Sequence, residues 1–322
     1  MGRLLKPRTL VIGELNVDIV ATGVRSVPEM GVEILAEDCE LTLGSASAIF
    51  AVGMAKLGHN TTFVGQVGND SFGSFCVNAL QLSGVSTQNV ARKEELKTGV
   101  TIALSGGRDR ALITYPGAIA NFDARQIKMS LLQGHSHLHL TSYYLQRALQ
   151  RSFPEILRRA QAESMVTSFD PNSDPRGSWS QSIKRVLRFT DVLFVNQREA
   201  LKLTGVRRVE QALKKLGESV SCVVIKLGPR GAVAIRDNRI CSAPGFRVTA
   251  VDTTGAGDSF DAGFMSAYLR GAPLADCLRC GNACGALSTS QAGGTAGQPN
   301  QRRLAEFLET KKLSRAKRKP SN

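Results

Sequence analysis

Short apolar runs alternate with amphipathic stretches along most of the chain, and that alternation predicts a layered α/β protein. Residues 9–13, 60–68, 165–169, 191–195 and 222–227 are runs rich in Val, Ile, Leu and Phe, the composition of strands buried on both faces. Between them lie segments with helical spacing: 44–58, the stretch opening at 68–73, 146–163, the stretch after Asp258, and 274–288. Strand and helix repeating in this order predict a mostly parallel sheet with helices on both faces. Two stretches, 28–43 and 98–115, instead alternate as exposed strands do, the second with Gly106-Gly107 as a turn between two arms. Residues 232–236 read as the hairpin partner of 222–227.

Within this pattern one string stands out, Val-Asp-Thr-Thr-Gly-Ala-Gly-Asp-Ser-Phe-Asp-Ala-Gly-Phe at 251–264. Phe260, Phe264, Met265 and Tyr268 recur at helical spacing, so Gly255, Ala256 and Gly257 mark a helix start. Backbone N–H groups at such a start, with the positive end of the helix dipole behind them, form an anion site. Asp258 stands at its edge, where a carboxylate can take a proton from a nucleophile attacking the anion, the arrangement that phosphoryl transfer needs. A plain N-cap role for Asp258 fits the same letters.

Other polar residues fall at the carboxyl ends of expected strands, where ligands gather in open α/β sheets. Glu14, Asn16 and Asp18 follow the first strand, and Asn16 and Asp18 can hydrogen-bond vicinal hydroxyls or simply make a turn. Asp170 and Asn172 follow another strand, and Asn196-Gln197-Arg198-Glu199 a third. His135, His137 and His139 alternate on one face of an expected strand, with no obvious fourth ligand for a metal. Cys277, Cys280 and Cys284 share one face of helix 274–288 and read as small core residues.

Composition narrows the classes. The chain has 322 residues, 42% hydrophobic and 21% charged, a globular balance with no apolar run approaching the ~20 residues of a membrane helix. Seven cysteines, an odd and scattered set, argue for reduced thiols. Residues 1–10 lack the apolar core of a signal peptide, and the expected location is cytoplasmic. The net charge of +14 invites a nucleic-acid reading. Lys311, Lys312, Arg315, Lys317, Arg318 and Lys319 crowd six of the basic residues into one terminal run, however, and no specific nucleic acid is expected. No Walker A string occurs, and no G-x-G-x-x-G follows the first strand, which excludes a P-loop enzyme and weakens a dinucleotide-binding one.

The 251–264 string, together with Gly68-Asn69-Asp70-Ser71-Phe72-Gly73, closely resembles the two signatures of the ribokinase/PfkB family of carbohydrate kinases. The resemblance runs from Val11 to about Pro299 and implies a ribokinase-like fold with a small β-lid. It implies one kinase domain at 1–310, lid segments at about 14–44 and 97–116, and a basic tail at 311–322. By that resemblance Asp258 is the general base, Gly255, Ala256 and Gly257 form the anion hole, and Asn16, Asp18 and Gly44 orient a sugar. Asn196, Lys226, Gly228, Gly231 and Asn282 border ATP, Glu199 holds Mg2+ through water, and Asp252 and Thr254 bind a monovalent cation such as K+. A homodimer through the lid is also implied. One departure matters: where many relatives place a sugar-contacting Asn, this chain has Ile49, so ribose and fructose are not carried over as substrates. A nucleoside (adenosine-type) kinase and a non-catalytic sugar-sensing relative remain the alternatives.

Overall fold

The computed structural model describes residues 7–316 apart from 27, 107–108 and 180–181; the side chains of 106, 109, 110 and 312–316 are also outside the description. Nine strands form the large sheet: β1 (Arg8–Ile12), β4 (Asn60–Gly68), β5 (Ser86–Lys93), β8 (His137–Thr141), β9 (Val166–Asp170), β10 (Val192–Asn196), β11 (Cys222–Lys226), β12 (Ala232–Arg236) and β13 (Arg239–Ala243). Four more, β2 (Asn16–Thr22), β3 (Asp38–Leu43), β6 (Gly99–Gly106) and β7 (Asp109–Tyr115), form a separate small sheet. The helices are α1 (Ala46–Lys56), α2 (Ser71–Leu82), α3 (Phe153–Ala162), α4 (Ile183–Leu187), α5 (Gln197–Thr204), α6 (Val209–Gly217), α7 (Ala256–Tyr268), α8 (Leu274–Ser288) and α9 (Gln301–Ala316).

The large sheet runs β13-β12-β11-β10-β9-β8-β1-β4-β5, parallel except for the β11-β12-β13 meander. Alternating residues feed two cores, one on each face. Leu10, Ile12, Leu193, Val195, Val223 and Ile225 pack into one; Val11, Val192, Phe194, Cys222 and Val224 pack into the other. Burying such side chains stabilises the fold by roughly 1.5–3 kcal/mol each, and it explains why these strands read as continuous apolar runs. From β1 the chain winds one way through β4 to β5 and the other way through β8 to β11. Strand order reverses beside β1, so the crevice at the carboxyl ends of β1, β8, β9, β10 and β11 is the place for a ligand.

The small sheet runs β3-β2-β6-β7 and springs directly from the end of β1. Register gives it two unlike faces. Thr42, Asp18, Thr101 and Thr114 line up across it on one face, and Leu41, Ile19, Ile102 and Ile113 on the other.

Several expectations change. Asn16 and Asp18 belong to a strand rather than a turn. Of 28–43 only Asp38–Leu43 pairs; the described residues before it are irregular, with Gly31 at φ 84° and Pro28 lacking a donor. The expected helix 146–163 begins as α helix only at Phe153, because Pro154 fits a first turn and not an interior. Strand β6 pairs Gly106 with Asp109, while Gly107 of the expected turn lies outside the described residues. Helix α9 runs from Gln301 to Ala316, so the boundary set at 310–311 falls inside a helix. Among the described residues no helix is long and apolar enough to cross a membrane.

Candidate active site

Helix α7 is entered through Gly255, its N-cap, at φ 66° and ψ 8°. This left-handed conformation favours glycine, and the surroundings demand it as well. A Cβ there would lie 2.8 Å from Gly294 Cα and 2.9 Å from Ile49 Cδ1. Ile49 is therefore packed against the glycine turn. The Ala256 N–H donates to Thr253 O at 3.3 Å. Of the expected anion-binding amides, that leaves those of Gly255 and Gly257, while the Asp258 N–H meets its own carboxylate.

Asp258 does not cap the helix; no side-chain cap bond is made at this end. Its partly buried carboxylate lies within 4.8 Å of those of Asp170, at the end of β9, and Asp261, one turn further along α7. Into this acidic group reaches Lys226 from the end of β11. Its Nζ donates to Asp170 Oδ2 at 2.7 Å and to Asp261 Oδ1 and Oδ2 at 3.1 and 3.0 Å. Those three contacts match the three protons of an ammonium. Lys226 is thereby a counter-charge behind the anion site, and a Cβ on Gly257 would lie 3.3 Å from its Nζ.

Charge and burial perturb these groups strongly. Burial pushes Asp258 up from its ordinary 3.8 to about 7; Lys226 pulls it back, while Asp170 and Glu14 push it up further. Burial also raises Asp261 well above the carboxylate range against the pull of Lys226. For Lys226 burial favours the neutral amine, but Asp170, Asp261 and Asp258 outweigh it and hold the ammonium charged far into the alkaline range.

On the other side of Asp258 lies Glu14, 3% exposed. It accepts from Ser47 N at 3.1 Å, Ser47 Oγ at 2.6 Å, Ser142 Oγ at 2.8 Å and Gln146 Nε2 at 3.4 Å. These donors tie the end of β1 to the start of α1 and to the loop after β8. Asn16, Asp18 and Gly44 converge next to it. Asn16 Nδ2 donates to Asp18 Oδ1 at 3.0 Å and to Thr101 Oγ1 at 3.4 Å. A Cβ on Gly44 would lie 2.6 Å from Asn16 Nδ2, so only glycine leaves the pair its position.

The remaining expected residues ring the far side. Asn196 caps α5 through its Oδ1, which accepts from Glu199 N, and Glu199 Oε2 accepts from Asn196 N at 2.8 Å, a reciprocal capping box. Glu199 is 4% exposed and also accepts from Ser173 Oγ at 3.2 Å. Burial and the like charge of Asp170 push it up to about 7, against the pull of Lys226. Its two oxygens keep unused lone pairs in a hard-oxygen setting, which fits Mg2+ held through water. Gly228 and Gly231 adopt φ 61° and 101° in the turn between β11 and β12. Asn282 Nδ2 donates to Ala243 O at 3.0 Å and Pro244 O at 3.3 Å, bracing the strand end beside that turn. Asp252 accepts from Thr254 N and Oγ1 and from Gly293 N, a clamp between the glycine turn and the Gly293-Gly294 bend.

Sequence reasoning gave no chemistry to Glu14 or Asp261. The usable signals were a carboxylate directly after a buried strand and a second aspartate three residues beyond Asp258, on the same helix face. The three histidines pair with protein neighbours. His137 and His139 share Ser168 Oγ at 2.8 and 2.7 Å, His139 stacks on Phe50, and His135 meets Leu131 O and Thr62 Oγ1. Cys277, Cys280 and Cys284 are free thiols, two of them buried.

The sequence matches the pfkB family carbohydrate kinase pattern over residues 6–301. It is 29% identical over 281 residues to a fructokinase from Vibrio alginolyticus, covering 82% of this chain and 91% of that protein. It is 30% identical to an ATP-dependent ribose-1-phosphate kinase from Halopiger xanaduensis, covering 94% and 98%. A ribokinase II candidate from E. coli, solved with ATP and Mg2+, superposes with a TM-score of 0.84 at 25% identity, covering 94% and 99%. The chain has the ribokinase fold and belongs to the pfkB family of carbohydrate kinases, as a sugar or nucleoside phosphotransferase with an alcohol group as acceptor.

Proposed function

We propose that the protein transfers the γ-phosphoryl group of ATP to a hydroxyl of a sugar or sugar derivative, with Asp258 as the base. The carrying observation is the position of Asp258 in the first turn of α7, beside the cluster that Asp170, Lys226 and Asp261 form. The acceptor oxygen attacks the γ-phosphorus, its proton passes to Asp258, and the bond to the β-phosphate oxygen breaks to release ADP. The N–H groups of Gly255 and Gly257, with Ala256 shaping the turn, meet charge on the transferring group. Asn16, Asp18 and Gly44 orient the acceptor. The row Thr42, Asp18, Thr101 and Thr114 on the inner face of the small sheet supplies hydroxyls and a carboxylate suited to a polyol.

In this reading ATP lies along Asn196, Gly228, Gly231 and Asn282, near the ammonium of Lys226. Glu199 would hold Mg2+ through water, and the bound ion would supply charge neutralisation on the phosphates. A monovalent cation such as K+ would sit at the Asp252–Thr254 loop, drawing on loop carbonyls because Asp252 already serves three donors. The apolar row on the outer face of the small sheet is open, with Leu41 at 42%, Ile102 at 38% and Ile113 at 60% exposure, and we assign it to a homodimer formed through the lid.

The test is ADP release from ATP across a panel of sugars, sugar acids, sugar phosphates and nucleosides, with the phosphorylated product quantified. One mole of phosphorylated polyol per mole of ADP is expected. Turnover of nucleosides alone would replace the sugar reading, and binding without ADP would make the chain a sensor.

A further inference from the structure

Lys226 is the residue whose position departs most from its expected employment. Its side chain is 13% exposed, and its two partners are 2% and 1% exposed. An ammonium buried between two carboxylates, with a third carboxylate beside it, is not placed for packing alone. Taking it out of water is unfavourable unless its partners are ionised and well aligned. Asp261 has no direct path to the acceptor, since it lies a turn deeper on α7 and is closed in by Lys226.

We propose that Lys226, anchored by Asp261, is a positioning residue: a fixed interior cation that keeps Asp258 in its proton-accepting form beneath the anion site. This rests on Asp258 being the base. The groups facing Asp258 are Lys226 from β11, Asp170 from β9, Glu14 from the end of β1 and Asp261 on its own helix; Glu199 on α5 acts on Asp170, and His139 on β8 faces Lys226. Lys226 is the one cation among those that act on Asp258 directly. Asp261 holds it by both oxygens and, raised well above the carboxylate range by burial, fixes where the ammonium sits without cancelling its charge on the base.

That division of roles separates the proposal from a structural role. In Lys226→Gln the base loses its cation, and the acid limb of the kcat/KM pH profile should move up by about one pH unit. In Asp261→Asn an acid already neutral over this range is replaced while Lys226 keeps Asp170, and the limb should stay nearly in place. The double variant Lys226→Gln/Asp261→Asn removes only the charge of the ammonium and should shift as Lys226→Gln does. It also covers the case in which Lys226→Gln alone fails to fold around an unpaired Asp261. The same shifts should be seen without turnover by following the Asp258 carboxyl carbon by 13C NMR in the ligand-free proteins. If no acceptor turns over, the kinase reading fails, while the NMR series still decides the pairing. A Lys226→Gln limb that does not move up, or an Asp261→Asn shift as large as that of Lys226→Gln, would overturn the proposal. A tenfold or greater loss of ATP affinity in Lys226→Gln with an unmoved Asp258 signal would also overturn it, making Lys226 a phosphate ligand.

Discussion

One buried acid and a cluster of three acids flank the same crevice and are handled in opposite ways. Glu14 is ringed by uncharged donors, two hydroxyls, one backbone N–H and one side-chain amide. Asp170, Asp258 and Asp261 instead crowd around a single ammonium. Neutral donors fix where a carboxylate points and leave the surrounding charge unchanged. A shared cation fixes charge as well as position, and makes each acid sensitive to the others. In the proposed function the acceptor side is thus built for geometry and the phosphoryl side for protonation, as a base at Asp258 requires.

The comparison breaks most severely at the cation. Lys226→Met strands two buried carboxylates, and a loss of about 3–5 kcal/mol of folding stability at pH 8 is expected in urea unfolding. Glu14→Gln offers an amide where Ser47 N–H and the Gln146 amide need acceptors, and should cost about 1–3 kcal/mol. It should also raise KM for the acceptor more than it lowers kcat, because Asn16 lies two residues away. Asn196→Ala removes one arm of the capping box and should cost about 1 kcal/mol in the same assay.

The smallest effect sharpens the contrast through pH. Asp258 ionises near 3.8 when unfolded and near 7 in the fold. Between those values the folded state binds more protons, so the stability this group contributes is full below about 3.8 and is lost as pH rises through 7. Calorimetry of the ligand-free protein from pH 4 to 8 should show this fall, and Asp258→Asn should flatten it.

Much of this was legible in the chain. The buried parallel strands announced themselves because both their faces are covered, and the glycine turn because its spacing needs a left-handed residue against Gly294 and Ile49. The lid was legible as alternation, but β2 was hidden: Asn16 and Asp18 look like turn formers until β3 and β6 pair with them. Lys226 shows why contacts across strands escape a linear reading. Asp170, Lys226 and Asp261 are separated by dozens of residues, and nothing local says that one ammonium joins them. The packing of Ile49 was hidden for a related reason, since its contacts with Gly255 and Gly294 join distant parts of the chain.

The most direct measurement is single-turnover phosphoryl transfer to the best acceptor by wild-type and Asp258→Asn enzyme from pH 5.5 to 9, with acceptor binding measured separately. The account predicts a wild-type rate that rises with pH, and a variant slower by about 10²–10⁴-fold that binds acceptor normally. The acid limb should be absent from the variant. A variant within tenfold of wild type, with the same limb, would contradict the assignment of Asp258 as the base.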